Sequence, residues 1–249
     1  MKNIKRYKEL FESQTELTPE QIKWLDECTR GSWSLNPQTG LVDVSGSFVC
    51  DGQNLTDFKG VRFGVVTRNF DCFRNKLTSL EGAPQSVGLQ FDCTRNELTS
   101  LEGAPQEVGG SFFCYSNELV SLKDAPREVG ASFDCSNNKL PSLEDAPQEV
   151  GGYFDCSNNK LTSLKGAPTS VRGAFHCSLN PVSESVLKDL YKRVRSGMSW
   201  EEAVEMHWDY IDNERDEILL AQYNPNFGGE DKEYYRVLGK MDRFNRRAI

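Results

Sequence analysis

Six cysteines fall on one period: Cys72, Cys93, Cys114, Cys135, Cys156 and Cys177 stand 21 residues apart, and Cys50 precedes them by 22. Thiols in such number could be nucleophiles, disulfide partners or zinc ligands, and each chemistry makes a geometric demand. A disulfide needs Cβ atoms directed at each other. Zinc needs ligands that close a tetrahedron. A nucleophile needs a basic neighbour to generate thiolate. The phrase around each cysteine meets none of these. Around Cys156 it reads Val150-Gly-Gly-Tyr-Phe154-Asp-Cys156-Ser-Asn-Asn159-Lys-Leu161-Thr-Ser-Leu164-Lys-Gly-Ala-Pro168. A strict period of this length marks a solenoid. With one parallel strand per repeat, successive cysteines stand roughly 4.8 Å apart and point the same way. The row therefore reads as buried free thiols acting as small hydrophobes. It suits a reducing compartment and calls for no metal or cofactor.

The cysteines also act as a ruler for a second set of groups. The residue before each is Val49, Asp71, Asp92, Phe113, Asp134, Asp155 or His176. The residue after is Asp51, Phe73, Thr94, Tyr115, Ser136, Ser157 or Ser178, and the next is Gly52, Arg74, Arg95, Ser116, Asn137, Asn158 or Leu179. If Phe and Cys of each Phe-Asp-Cys strand point inward, these columns point outward. Like charges on neighbouring strands cost stability. The Asp row thus calls for a basic partner or a divalent cation, or else serves to block lateral association. Aromatic side chains beside arginine mark protein interfaces. The expected partner-binding set is Asp71, Phe73, Arg74, Asp92, Arg95, Phe113, Tyr115, Asp134, Asp155 and His176, with His176 an interface residue rather than a catalyst.

The remaining columns position these groups. Phe48, Phe70, Phe91, Phe112, Phe133, Phe154 and Phe175 form an inward row. Asn75, Asn96, Asn117, Asn138, Asn159 and Asn180 follow three residues after the cysteines. Their side chains can satisfy backbone groups where the chain leaves the strand. Leu77 to Leu161 and Leu80 to Leu164, each on the 21-residue period, return the chain across the core. Gly-Ala-Pro or Asp-Ala-Pro then forbids a helix and favours an extended return, and Val87, Val108, Val129, Val150 and Val171 close the circuit.

This order of apolar residues, Asn and Leu resembles the leucine-rich repeat, with Cys in the place of the last strand leucine. The short unit is most similar to the bacterial class found in secreted effectors, and similar repeats occur in bacteriophage and bacterial proteins of unassigned role. The resemblance covers roughly residues 44–182. It implies a horseshoe with a parallel β-sheet on its concave face, α-helical caps at both ends, and a recognition surface. Effectors with such repeats can carry a C-terminal ubiquitin ligase with a nucleophilic cysteine; no cysteine follows Cys177 here, so that activity does not carry over.

Solenoid ends need caps. In residues 1–43, Ile4, Tyr7, Leu10 and Phe11 have helical spacing, and Thr18-Pro-Glu-Gln21 begins a second helix with stripe Ile22, Leu25 and Cys28, ended by Gly31. The segment from Trp33 to Val44 reads as a hairpin. The first repeat is irregular, with Gln53 in place of Asn. Residues 183–249 read as a helical region: Val186, Leu187, Leu190, Tyr191 and Val194, then a stripe in which His207 packs with Trp200 and Trp208, then a helix carrying Arg236, Lys240, Arg243 and Arg247.

The net charge of −8 argues against general nucleic-acid binding. No apolar run reaches the length of a membrane span, and the first residues lack the apolar core of a secretory signal. Phosphate-loop, zinc-protease and serine-nucleophile motifs are absent from the sequence. The expectation is a cytoplasmic, non-enzymatic module that binds another protein, a basic one by preference, through the concave face. Two further readings stay open: a phage-encoded inhibitor of a host enzyme or defence complex, and a structural or adaptor subunit acting through the C-terminal helices.

Overall fold

The computed structural model describes residues 16–162, 166–177, 179–181 and 196. The chain divides into two units, 1–182 and 183–249, and all described residues but Ser196 lie in the first. The expected stripe from Ile4 to Phe11, the elements of 183–249 with His207, and the basic residues from Arg236 to Arg247 lie outside the described residues.

Helix α1 (Pro19–Cys28) opens as the sequence suggests. Thr18 accepts from the Gln21 backbone N–H, Gln21 accepts from the Thr18 N–H, and Pro19 occupies the first turn. Its buried face is Gln21, Trp24, Leu25 and Cys28, the i, i+3, i+4, i+7 stripe of one helix side. Ile22 lies one step off that stripe and is 40% exposed; Trp24 takes the place expected of it, meeting Phe48 with ring centroids 5.1 Å apart. Gly31 does not end the helix, which stops at Cys28 with Thr29 already extended. Gly31 instead faces Gly46 across an antiparallel hairpin of β1 (Thr29–Leu35) and β2 (Val42–Val49). Their φ values are +142° and +135°, and a Cβ on either would strike the other strand's backbone.

Strand β2 starts two parallel ladders. Its first half pairs with β3 (Phe63–Val66) and its second half with β4 (Phe70–Asp71). Every later turn adds one short strand to each. The first ladder continues through β5 (Ser86–Val87), β7 (Glu107–Val108), β9 (Glu128–Val129), β11 (Glu149–Val150) and β13 (Ser170–Val171). The second continues through β6 (Phe91–Asp92), β8 (Phe112–Phe113), β10 (Phe133–Asp134), β12 (Phe154–Asp155) and β14 (Phe175–His176). The result is a parallel β-solenoid of about 21 residues per turn. The Val column, expected only to close the circuit, forms a sheet of its own.

Between the two strands of a turn the chain bends at a glycine column, Gly88, Gly109, Gly130 and Gly151. A Cβ on any of them would collide with the carbonyl oxygen of the residue one turn earlier. Only a Cα–H fits against that oxygen, and it makes the weak C–H···O contact common between strands.

Inside, consecutive Phe rings from Phe48 to Phe154 stack 5.2–5.7 Å apart, Phe154 stacking in turn on Phe175. The repeating thiols are free and buried. Cys93, Cys114 and Cys156 donate at 3.3–3.4 Å to a carbonyl of the next turn. The Asn column is buried too. Asn117 shows the pattern: its Nδ2 donates to Cys93 O at 3.0 Å and Cys114 O at 3.1 Å, and its Oδ1 accepts from Leu98 N at 3.1 Å. Asn96, Asn138, Asn159 and Asn180 repeat it one turn apart. Gln53, standing where the column would begin, turns aside to accept from Trp24 Nε1 at 2.9 Å; its backbone N–H goes to Asn75 Oδ1.

Removing one rung leaves the buried Leu98 N–H without its acceptor, while Cys93 O and Cys114 O keep the amides of Asn96 and Asn138. Leaving a buried group unsatisfied costs about 1–3 kcal/mol, so Asn117→Ala is expected to lower stability by about 2 kcal/mol, read as a drop in the urea midpoint. A loss under about 1 kcal/mol would show that the rungs contribute little beyond the apolar stack.

Candidate functional site

The parallel register brings the expected outward groups into rows. Val49, Asp71, Asp92, Phe113, Asp134, Asp155 and His176 are successive partners across β2, β4, β6, β8, β10, β12 and β14. All of them are half-buried. The next outward column runs Phe73, Thr94, Tyr115, Ser136, Ser157, its register held by Arg74 N–H on Thr94 O and the equivalents above it. Thr94 lies between Phe73 and Tyr115 and is 1% exposed; Ser136, on the other side of Tyr115, is 6% exposed. Thr94 and Ser136 are thus covered, while Phe73, Tyr115 and Ser157 are half-buried and reach the surface.

Arg74 and Arg95 stand one residue further on, at the corner where the chain leaves the strand. Both have φ +54°, and Ser116, Asn137, Asn158 and Leu179 hold the same left-handed conformation at φ +54° to +58°. Both arginines are exposed. Arg74 folds over the Phe73 ring, 5.7 Å from guanidinium carbon to centroid. The corner therefore separates the arginines from the Asp row. The Lys–Glu ion pairs among the described residues, Lys23 with Glu27 and Lys139 with Glu118, also lie elsewhere.

The Asp row has a local reason to exist. Asp92, Asp134 and Asp155 each accept the N–H of the residue two further on, at 3.0, 2.9 and 2.8 Å. The carboxylate closes a small turn that eases the chain into the left-handed corner. Burial raises the Asp92 and Asp134 carboxyls above the ordinary range, and the bonds from Thr94 and Ser136 offset it. Asp71 differs: its Oδ1 is buried with no hydrogen-bond partner. Burial, with Asp92 and Asp51 adding repulsion, pushes its carboxyl up to about 6. In the Cys column burial pushes Cys72, Cys93, Cys114, Cys135 and Cys156 well above the ordinary thiol range. These five side chains are neutral, inert packing groups at neutral pH.

Two surface features escaped the sequence reading. Tyr153 stands two residues before Asp155, in a column otherwise made of Asn69, Gln90, Ser111, Ser132 and Ala174. Its ring meets His176 edge-on with centroids 6.3 Å apart. Burial raises its phenol, and Asp134, Asp155 and Tyr115 add to the effect. The second feature lies on the other ladder: Glu107, Glu128 and Glu149 make an exposed acidic row. It borders an open groove of about 550 Å³ floored by Gly109, Gly130 and Gly151, with Arg127 and Arg172 on its lining. The spacing of Gln-Glu-Val in the sequence carried the first half of that signal; nothing in it showed that the glycines would leave a groove.

No helix among the described residues is long and apolar enough to cross a membrane. No family model, curated protein or solved structure matches this chain.

The Asp71 carboxyl gives a pH signature with a definite sign. An acid whose folded value is raised binds more protons folded than unfolded, so stability falls as pH rises from its ordinary value of 3.8 toward about 6. Asp71→Asn removes that loss. The variant is expected to gain on the order of 1 kcal/mol over the wild type at about pH 7.5, after solvent screening, and nothing at about pH 4. Urea midpoints at the two pH values measure it, and an equal gain at both would rule out charge burial as the cause.

Proposed function

We propose that this solenoid is of the short leucine-rich-repeat type and acts as a non-enzymatic module that binds another protein through the outward face of its Phe ladder. What carries the reading is one observation: the outward groups of six turns, with Phe73, Phe113 and Tyr115 among them, share a single continuous register on a hydrogen-bonded frame. Such a surface loses little conformational freedom on binding, which favours affinity. Half-buried aromatic side chains beside carboxylates are suited to an interface centre, where rings supply contact area and charge selects the partner.

The partner that fits is a protein with exposed lysine or arginine, because Asp71, Asp92, Asp134 and Asp155 outnumber the basic groups on this face. Buried, neutral thiols in the Cys column support a binding role over a catalytic one and suit a reducing, cytoplasmic setting. The carboxylate row needs no cation to explain it, since three of its four members are held by backbone N–H groups.

The Phe113→Ala, Tyr115→Ala double variant tests the reading. Both side chains point off the core, so the urea midpoint is expected to move by less than about 1 kcal/mol. Capture of the partner from native cells is expected to be lost, since interface aromatic side chains are each commonly worth about 2 kcal/mol or more. Undiminished capture by the double variant would place the binding surface elsewhere.

A further inference from the structure

Asp134 occupies a singular position in the outward lattice. Within its own turn the residues two before and two after it, Ser132 and Ser136, are small and on the same face. On the preceding turn its lateral neighbour is Phe113, with Tyr115 on the diagonal. On the following turn its lateral neighbour is Asp155, with Tyr153 on the opposite diagonal. Turns are about 4.8 Å apart and alternate residues of a strand about 6.5 Å apart. The two tyrosines therefore flank Asp134 and its neighbour Asp155 on opposite diagonals, with half-buried Ser132 and covered Ser136 in Asp134's own turn. The register of the serine column is fixed by Ser132 N–H on Ser111 Oγ and Tyr153 N–H on Ser132 Oγ, at 3.3 and 3.2 Å.

The chemistry of these side chains converges on one kind of guest. The Oδ1 atoms of Asp134 and Asp155 are committed to Ser136 and Ser157 N–H groups. Asp134 also draws on the Ser136 hydroxyl. Each carboxylate has a second oxygen whose lone pairs can accept further donors, on strands one turn apart. Aromatic faces beside carboxylates attract a cation through ring quadrupole and charge together. A planar cation with several in-plane N–H donors can stack on a ring and still reach both carboxylates, which a compact ammonium does less well. The same face already holds one such contact, Arg74 over Phe73.

We infer that the surface patch of Phe113, Tyr115, Tyr153, Asp134 and Asp155 is a subsite for a single arginine side chain of the partner protein. This deepens the proposed function and rests on it for the source of the arginine. Tyr153 joins the binding surface by this inference. His176 stands beside Asp155 on the following turn, edge-on to Tyr153.

The test uses the full chain at about pH 8 and a guest detached from any partner. Tyrosine-ring NMR signals are followed while Nα-acetyl-arginine methylamide is added, with the capped citrulline analogue, equal in shape but uncharged, and capped lysine as comparisons. Capped arginine is expected to shift both Tyr115 and Tyr153 with half-saturation in roughly the low millimolar range, citrulline to shift neither, and lysine to bind several-fold more weakly. Asp134→Asn and Tyr153→Ser are each expected to raise the half-saturation by at least about fivefold. Tyr153→Ser installs the residue that Ser111 and Ser132 already provide in that column, so its urea midpoint should hold. Equal shifts with citrulline, or arginine binding untouched by Tyr153→Ser, would overturn the subsite. Partner capture lost in the Phe113→Ala, Tyr115→Ala variant, with no arginine response at Tyr153, removes the subsite and leaves the binding face. Arginine bound at the patch while that double variant still captures its partner removes the binding face as proposed and leaves the subsite.

Discussion

Everything in this solenoid depends on one interaction, the asparagine rung at the corner after each Phe strand. A chain that turns inside its own core buries carbonyls and an N–H that no neighbouring strand can reach. Each Asn side chain meets them with a carbonyl of its own turn, a carbonyl of the turn before and the Leu N–H of the turn before. It thus ties successive turns at a fixed offset, and that offset sets the rest. Phe rings stack because their backbones are held one turn apart. Cysteine fits in the row beside Asn because a thiol is small and can still donate weakly to the carbonyl above it. The left-handed residue between Cys and Asn follows from the same corner: the chain must reverse there for the amide to point back inside.

The outer rows inherit this spacing and must tolerate it. A carboxylate in every turn at strand spacing is unfavourable by itself. Asp92, Asp134 and Asp155 persist because each accepts an N–H two residues on. Asp71 is followed at that position by Phe73, which lacks the hydroxyl of Thr94 or Ser136, and its buried Oδ1 finds no donor. Much of the row is thereby set by the fold. It supplies charge to most turns alike, and only the departures from it distinguish one part of the face from another.

The columns that were legible in the sequence are those whose residue type is dictated by the core: Phe, Cys, Asn and Leu vary little because each has one environment. The capping box of Thr18 and Gln21 was legible for the same reason, since two side chains and two backbone groups leave no alternative. The Val ladder was harder, because each of its strands shows a single apolar position, whereas Cys follows two residues after each Phe in the other ladder. The left-handed column hid behind its composition; Arg, Ser, Asn and Leu together announce no special φ, although Gly52 at its head and the two Asn hinted at one. The glycine column was visible as letters but not as a constraint, since its demand comes from a carbonyl 21 residues away. Trp24 displaced Ile22 because Gln21, a polar residue, belongs to the buried stripe through its bond to Lys59 O at 2.7 Å. Tyr153 was missed because one large residue in a column of small polar ones looks like surface noise until register places it beside Asp134.

That last case shows how such a frame can change its surface without changing its fold. Columns two residues apart on one face do not touch the core, so each can vary alone. A substitution in one column meets a substitution in another only through register, diagonally across turns. Phe113 breaks the carboxylate row and relieves both Asp92 and Asp134 of one like-charged neighbour. Tyr115 and Tyr153 then fall on opposite diagonals of Asp134, in columns where most occupants are small or polar. Three departures from the repeat, in three separate columns, surround the one carboxylate whose own turn offers only serines beside it. A solenoid that needed only to stack would gain nothing from that coincidence of irregularities. A surface selected to hold a partner would, because a pocket can be built on this frame only where large residues in different columns face each other across a small one.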